Sequence, residues 1–382
     1  MNLEFIARIT GEDGTVIERS IRRDYALKLR TFTDHVEKAG RLAAEELCLS
    51  GEEILRQNHL EVESDKRIEE GEIPESACHP HIPEEENQER WDIFQEKIHS
   101  FNEGREECDQ IKRVDLVNET EVLPEKCVYI SVDEVGVKHQ KDTRKDGGSK
   151  DGKVVENTVI QIQAVEGRYI LTAVDMKKAF TLLLAFVLTT HILENRKLYF
   201  FSDGAENIRK NIEACFSWRP YYLMLDWYHL CKHVRELLSM ALGGKKEFKK
   251  QTGAVIQQRL WAGNVDEAIA YIRSIEAKAI RNQKKLEEII GYLERKRPYI
   301  VCYALRSILQ YQNASNPAEK ANDLLVAQRQ KHNGMSWSYD GSSALAVITA
   351  LVQNGQVEQW VKEHRISFSF PSTTTPVSPM AA

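Results

Sequence analysis

No disulfide framework and no bilayer span can be read from this sequence. Its seven cysteines (Cys48, Cys78, Cys108, Cys127, Cys215, Cys231, Cys302) are odd in number, widely spaced and without a C-x-x-C pair. Such usage points to reduced thiols. The most apolar stretch, Ala179 to Leu188, is about half the length that crosses a bilayer. No basic start leads into an apolar run and a small-residue cleavage site, so the chain is expected to be soluble and intracellular. Internal repeats are absent. With 42% hydrophobic residues in 382, the chain is too apolar to be mostly disordered and long enough for one large core or two to three domains.

Neither charge sign dominates, since 52 Lys and Arg face 58 Asp and Glu for a net charge of −6. The balance is uneven along the chain, however. Residues 1–126 carry 17 basic against 32 acidic side chains, whereas Tyr228 to Lys331 carries 19 against 10. A polyanionic partner would meet that second stretch.

The pattern divides the chain into six parts. Residues 1–60 read as a hairpin around Gly11–Gly14 and a helix from about Thr33 to Cys48, an α+β N-terminal extension whose helix lacks the basic face of a DNA-reading helix. Residues 61–126 form an acidic linker and helix; Cys78-His79-Pro80-His81 lies there, too crowded for a zinc site without a second ligand pair. At 127–227 the character changes. Val128, Ile130 and Val132 alternate with Tyr129, Ser131 and Asp133 in a buried strand ending at Asp133, and two more strands follow at Thr158–Val165 and Arg168–Val174. Next come an apolar helix from Met176 capped by Asp175, a strand Leu198–Ser202, a helix from Glu206 and a strand Tyr221–Leu225. The fold class is therefore α/β, a mixed sheet of three antiparallel strands followed by alternating helices and strands. Residues 228–307 read as an all-helical insertion, 308–362 as the last part of the core, and 363–382 as a disordered tail.

Three acids sit where elements end or begin: Asp133, Asp203 and Glu319. Each has a plain structural role open to it. Asp133 to Gly136 fits a turn, Asp203 a helix cap, and Glu319 the third position of a capping box behind Asn316 and Pro317. Taken together they read differently, because strand ends form the ligand-binding edge of an open sheet. Carboxylates crowded there repel one another unless a divalent cation lies between them, and hard oxygen ligands suit Mg²⁺ or Mn²⁺. Two such ions beside a basic surface suit phosphodiester chemistry.

Several strings make the pattern specific: Ser202-Asp203-Gly204-Ala205, Asp226-Trp227-Tyr228-His229, and Asn316-Pro317-Ala318-Glu319 running on to Gly334-Met335-Ser336-Trp337-Ser338. From about Cys127 to Trp360 the chain resembles the DDE-type transposases of bacterial insertion sequences. Asn316 stands where that family usually has glycine, and no helix-turn-helix is evident in the first 126 residues. The resemblance implies a ribonuclease H-like catalytic domain, with Asp133, Asp203 and Glu319 as catalytic ligands of Mg²⁺ or Mn²⁺, as two ions. It also implies double-stranded DNA (element ends and target) as partner, a homo-oligomer on that DNA, no membrane, and a place on the nucleoid in the bacterial cytoplasm. Asp226 and His229 are either a helix cap and a packed histidine or a support behind the metal ligands. Lys245, Lys246, Lys249, Lys250, Arg329 and Lys331 are candidate phosphate contacts, and Trp337 is a candidate for base stacking if it is not simply packed in the core. Two other functions fit the same residues: a nuclease or resolvase that only hydrolyses, and a DNA-binding remnant without catalysis.

Overall fold

In the computed structural model the described residues are 29–58, 60, 88–112, 124–140, 154–313, 323–331 and 335–371. The expected hairpin, Cys78 to His81, the Asn316 capping box and Glu319 lie outside them. The elements are α1 (Leu29–Gln57), α2 (Gln88–Asn102), β1 (Cys127–Lys138), β2 (Val154–Ala164), β3 (Gly167–Ala173), α3 (Met176–Thr190), β4 (Lys197–Ser202), α4 (Glu206–Phe216) and β5 (Tyr222–Leu225). Then follow α5 (Trp227–Ala241), α6 (Lys246–Trp261), α7 (Val265–Arg273), α8 (Gln283–Lys296) and α9 (Tyr303–Ile308). A π-helical turn, Asp323–Ala327, leads into α10 (Gln328–Gln330), and α11 (Tyr339–Gln353) and α12 (Val357–Glu363) close the order.

The strands form one mixed sheet of order β3-β2-β1-β4-β5. β1 pairs antiparallel with β2 and β2 with β3, while β1 with β4 and β4 with β5 are parallel. The arrangement is compatible with a ribonuclease H-like fold. β1 corrects one expectation, because the strand does not end at Asp133. It runs on to Lys138, with Asp133 opposite Val159 and Val135 opposite Asn157. The alternation of Val135 and Val137 with Glu134 and Gly136 keeps burying one side, so the Asp133 to Gly136 turn does not form.

Alternate residues of the strands face two separate cores. Val128, Ile130, Val132, Leu198 and Phe200 face α1, α3 and α4. Tyr129, Tyr199, Phe201 and Met224 face Phe94 of α2 and Leu305 of α9. Farther along that second face, Val135 and Val137 meet Leu325 and Val326, which follow the Glu319 region in the chain. Helices α5, α6, α7 and α8 enclose a core of their own around Leu230, Val234, Leu260, Ile269 and Ile290. Helix α3 is apolar all round from Ala179 to Leu188, and a helix of that kind must be covered on every side. The sheet and α1 supply most of the cover. The remainder comes from Ile366 and Phe368, buried in the same core, and from Phe370, whose ring lies 5.2 Å from that of Phe186. The expected disordered tail from residue 363 is thus corrected: its first part, with apolar residues at every second position, is built into the core.

Helix α1 also outruns its expected end at Cys48, passing through Gly51, where a β-carbon would press on Leu182 Cδ2 at 3.0 Å. Here glycine serves close packing and does not stop the helix. Among the described residues no helix is long and apolar enough to cross a membrane.

At Gly40 the backbones of α1 and α11 meet, and a β-carbon there would enter the van der Waals shell of the Ala344 carbonyl oxygen. Gly40→Ala should therefore force the helices apart and cost about 1–3 kcal/mol. A denaturant titration reads this directly; an unchanged midpoint would show that the crossing yields freely.

Candidate functional site at the strand ends

The parallel register carries the acids to one row. β1 and β4 pair from Cys127↔Lys197 to Ser131↔Phe201, so two residues further on each strand stand Asp133 and Asp203. β4 and β5 pair up to Ser202↔Leu225, and one residue further stand Asp203 and Asp226. The Asp226 N–H donates to the Ser202 carbonyl at 2.9 Å, which holds β5 in step at this edge. All three acids share strand parity with Tyr129, Phe201 and Met224, and so belong to the α9 face of the sheet.

Local backbone fixes each carboxylate. Asp133 Oδ1 accepts the Glu134 N–H at 2.9 Å, and Asp203 Oδ1 accepts the Ala205 N–H at 2.8 Å. Asp203 does not cap α4: the cap position belongs to Ala205, without a side-chain bond. The turn between them needs glycine. Gly204 has φ +88°, and a β-carbon there would meet Leu225 Cδ1 at 3.0 Å and Lys296 Cε at 3.2 Å. The Lys296 ammonium donates to the Gly204 carbonyl, joining the last turn of α8 to the residue after Asp203.

The row is electrostatically crowded. Glu134 is the β1 neighbour of Asp133 and takes a 2.7 Å hydrogen bond from Asn207 Nδ2. Its carboxyl is pushed above the ordinary value, first by burial, with Glu156, Asp203 and Asp133 adding like-charge repulsion against the relief from Asn207. Two carboxylates just past the last β1–β4 pair, each with one oxygen held by a backbone amide, offer the oxygen donors that suit a hard divalent cation. Among the described residues no third acid, histidine or cysteine completes a group with them; the group of three that does form, Glu106, Cys108 and Asp109, lies before β1.

Asp226 is fully buried and caps α5, accepting the His229 N–H at 3.0 Å and facing His229 Nδ1 at 3.2 Å. The cap and the histidine contact are thus one structure. It fixes where the helical insertion leaves the sheet. Tyr292 of α8 lies close enough to Asp203 to feel its charge, and burial first, then Asp203 and Cys231, push its hydroxyl upward. The Tyr292 ring centroid lies 4.2 Å from that of His233.

The basic candidates are not gathered at this row. Lys245 stands at the N-cap position of α6 without a side-chain bond, Lys246, Lys249 and Lys250 follow, and Lys249 Nζ donates to the Ser239 carbonyl at 2.7 Å. Ser239 is thirteen residues along from Asp226, about 20 Å at 1.5 Å per helical residue. Arg329 is partly buried, and desolvation lowers its pKa; Lys331 is exposed. Trp337 acts within the fold. Its N–H donates to the Lys138 carbonyl at 2.9 Å and its indole Nε1 to the Gln330 carbonyl at 3.1 Å, so it ties α10 to the far end of β1. Trp261 packs in a ring cluster with Trp227 and Tyr303.

Two features here were not predicted from the sequence. The Lys296 bond to Gly204 joins residues 92 positions apart, although Arg295-Lys296-Arg297 stands out as a basic run. The other is a buried polar tie among Gln330, Ser342 and Asn157, all 0% exposed. Ser342 Oγ donates to Gln330 Oε1 at 2.6 Å, Asn157 Nδ2 to Ser342 Oγ at 2.8 Å, and Gln330 Nε2 to the Ser342 carbonyl at 3.1 Å. It fastens α10 to α11 and β2.

No family model matches the chain, and no curated protein matches it. Among solved structures there is a match to the Drosophila P element transposase strand transfer complex, at 10% identity over 93% of this chain and 88% of that one, with a TM-score of 0.23. At that TM-score the functional assignment is left to the strand ends.

Gln330→Leu removes an amide that Ser342 needs on two sides, and should cost about 2–4 kcal/mol, the sum of an unsatisfied buried hydroxyl and a lost backbone bond. Thermal or denaturant unfolding checks this. A loss below about 0.5 kcal/mol would show that the tie contributes no net stability.

Proposed function

We propose that the chain is a DDE-type transposase of an insertion sequence with a ribonuclease H-like catalytic domain. The observation that carries the proposal is the shared row of Asp133 and Asp203, two residues past the last β1–β4 pair. The strand order β3-β2-β1-β4-β5, with β1 and β2 antiparallel, supports it. Glu319 is proposed as the third acid. It stands four residues before Asp323, and the helical turn that begins there packs Leu325 and Val326 against Val135 and Val137 of β1.

In this reading Asp133, Asp203 and Glu319 hold Mg²⁺ or Mn²⁺. When bound, two such ions supply the positive charge that activates an attacking oxygen and stabilises the leaving one. Water first breaks a phosphodiester at the element end, and the freed 3′-hydroxyl then displaces a phosphodiester oxygen of target DNA, with no covalent protein intermediate. The chain contributes position. β1 is paired with β2 at Asp133 itself, so that carboxylate sits on a strand that cannot swing. Gly204, pinned by Lys296, sets the direction of the Asp203 turn, and the Asp226–His229 cap sets the exit of the insertion. Lys245, Lys246, Lys249 and Lys250 of the insertion hold the DNA backbone without reading sequence. Joining two ends calls for a homo-oligomer on the DNA.

Purified protein is incubated with DNA carrying the element ends and Mg²⁺ or Mn²⁺. Asp133→Asn, Asp203→Asn and Glu319→Gln should each lower strand cleavage on the order of a thousandfold while leaving DNA binding in place. Wild-type cleavage in all three variants would refute the assignment. Joined products identify a transposase, hydrolysed products alone a nuclease or resolvase, and binding without metal-dependent cleavage a remnant.

A further inference from the structure

A cavity of about 380 Å³ opens beside the Asp203 turn, between the start of α4 and the end of α8. Its wall includes Gly204, Ala205, Arg209, Arg295, Lys296 and Tyr299. Three cations therefore border a space next to a candidate catalytic carboxylate, and their engagements differ. Arg295 is exposed and has no acidic partner among the described residues. Arg209 reaches Glu213 at 3.2 Å and Glu206 at 3.9 Å on its own helix, surface pairs that a stronger anion can replace. Lys296 is steadied by the Gly204 carbonyl, which takes one of its three donors.

The acid in the wall, Glu206, is drawn elsewhere. Its carboxylate sits 3.1 Å from Lys210, and Lys210, Arg209 and Lys296 together hold it below the usual range. Three cations against that one carboxylate leave two positive charges in excess. α4 adds its positive end, since Ala205 offers no side-chain cap to the first-turn amides.

We propose that this cavity is a phosphodiester subsite, holding the backbone of the DNA strand that runs past Asp203. This rests on the reading of Asp133 and Asp203 as the reacting centre. A nucleic-acid strand carries one phosphate per about 3.4 Å of axis, so a strand with one phosphate at the acidic row presents the next ones alongside it. Arginine provides the forked donors that fit phosphate oxygens. The acidic row repels that backbone, and the cavity supplies the opposite charge one residue away.

The test is fluorescence anisotropy of a fluorescein-labelled duplex with the full chain, without added divalent ions, across about 50–200 mM salt. Arg295→Ala and Arg209→Ala should each weaken binding about fivefold and flatten the dependence of log K on log salt by about one. Lys278→Ala removes an exposed insertion charge paired with Glu276 and should leave both unchanged. The proposal is overturned if Arg295→Ala and Arg209→Ala bind as wild type, if Lys278→Ala weakens binding as much as they do, or if wild type does not bind. It is likewise overturned if they weaken only binding of a labelled mononucleotide and not of the duplex. Absent cleavage under every condition, with the arginine effects intact, would defeat the transposase reading and leave the subsite standing.

Discussion

Parallel pairing of β1 with β4 is the constraint from which the site follows. Neighbouring strands lie about 4.8 Å apart, so a fixed register turns a separation of 70 residues into adjacency for Asp133 and Asp203. Slipping that register by one would send Asp133 to the other face, toward the α3 core, and separate the acids. The interior resists this. Val128, Ile130 and Val132 are buried against one set of helices, and Tyr129 against another, so either slip would exchange aliphatic and aromatic neighbours on both faces. Like charges are therefore kept together by apolar packing that has no direct part in their chemistry.

The helical insertion is joined to this row at two points. At one end Asp226, buried and bonded to His229, starts α5 from the tip of β5. At the other, Lys296 at the end of α8 returns to Gly204. Between them α5, α6, α7 and α8 fold around their own core. The insertion is thus internally complete yet anchored at both ends to the edge where the acids lie. Movement of α8 relative to the sheet would be transmitted to the Asp203 turn through Lys296.

Much of the sheet was legible because alternation and apolar runs have local causes. Strand β4 and the Asp175 cap of α3 need only neighbours in sequence to be recognised, and the cap forms as the spacing implies, with Asp175 accepting the Lys177 N–H at 2.8 Å. What escaped depended on distant partners. Asp133 to Gly136 has the composition of a turn, and only its pairing with Glu156 to Val159 of β2 makes it a strand. Gly51 looks like a helix stop until Leu182 is seen against it. Ile366, Phe368 and Phe370 alternate as a strand would, but the polar run after them masked the pattern. In the site, Asp203 was readable as a strand-end acid, whereas Asp133 lies within β1 and reaches the row only through the β1–β4 register. The lysine on Gly204 and the bond from Asn157 to Ser342 were not, since their partners lie 92 and 185 positions away.

The main core draws on both α1 and the segment from Ile366 to Phe370, with the sheet between them in sequence. Contacts of such long range make for slow folding. On the ribosome, Phe186 cannot gain its last ring neighbours until residue 370 has left the exit tunnel, so α3 stays incompletely sheltered while residues 191–370 are made. During that interval α3 is a surface on which chaperones can act.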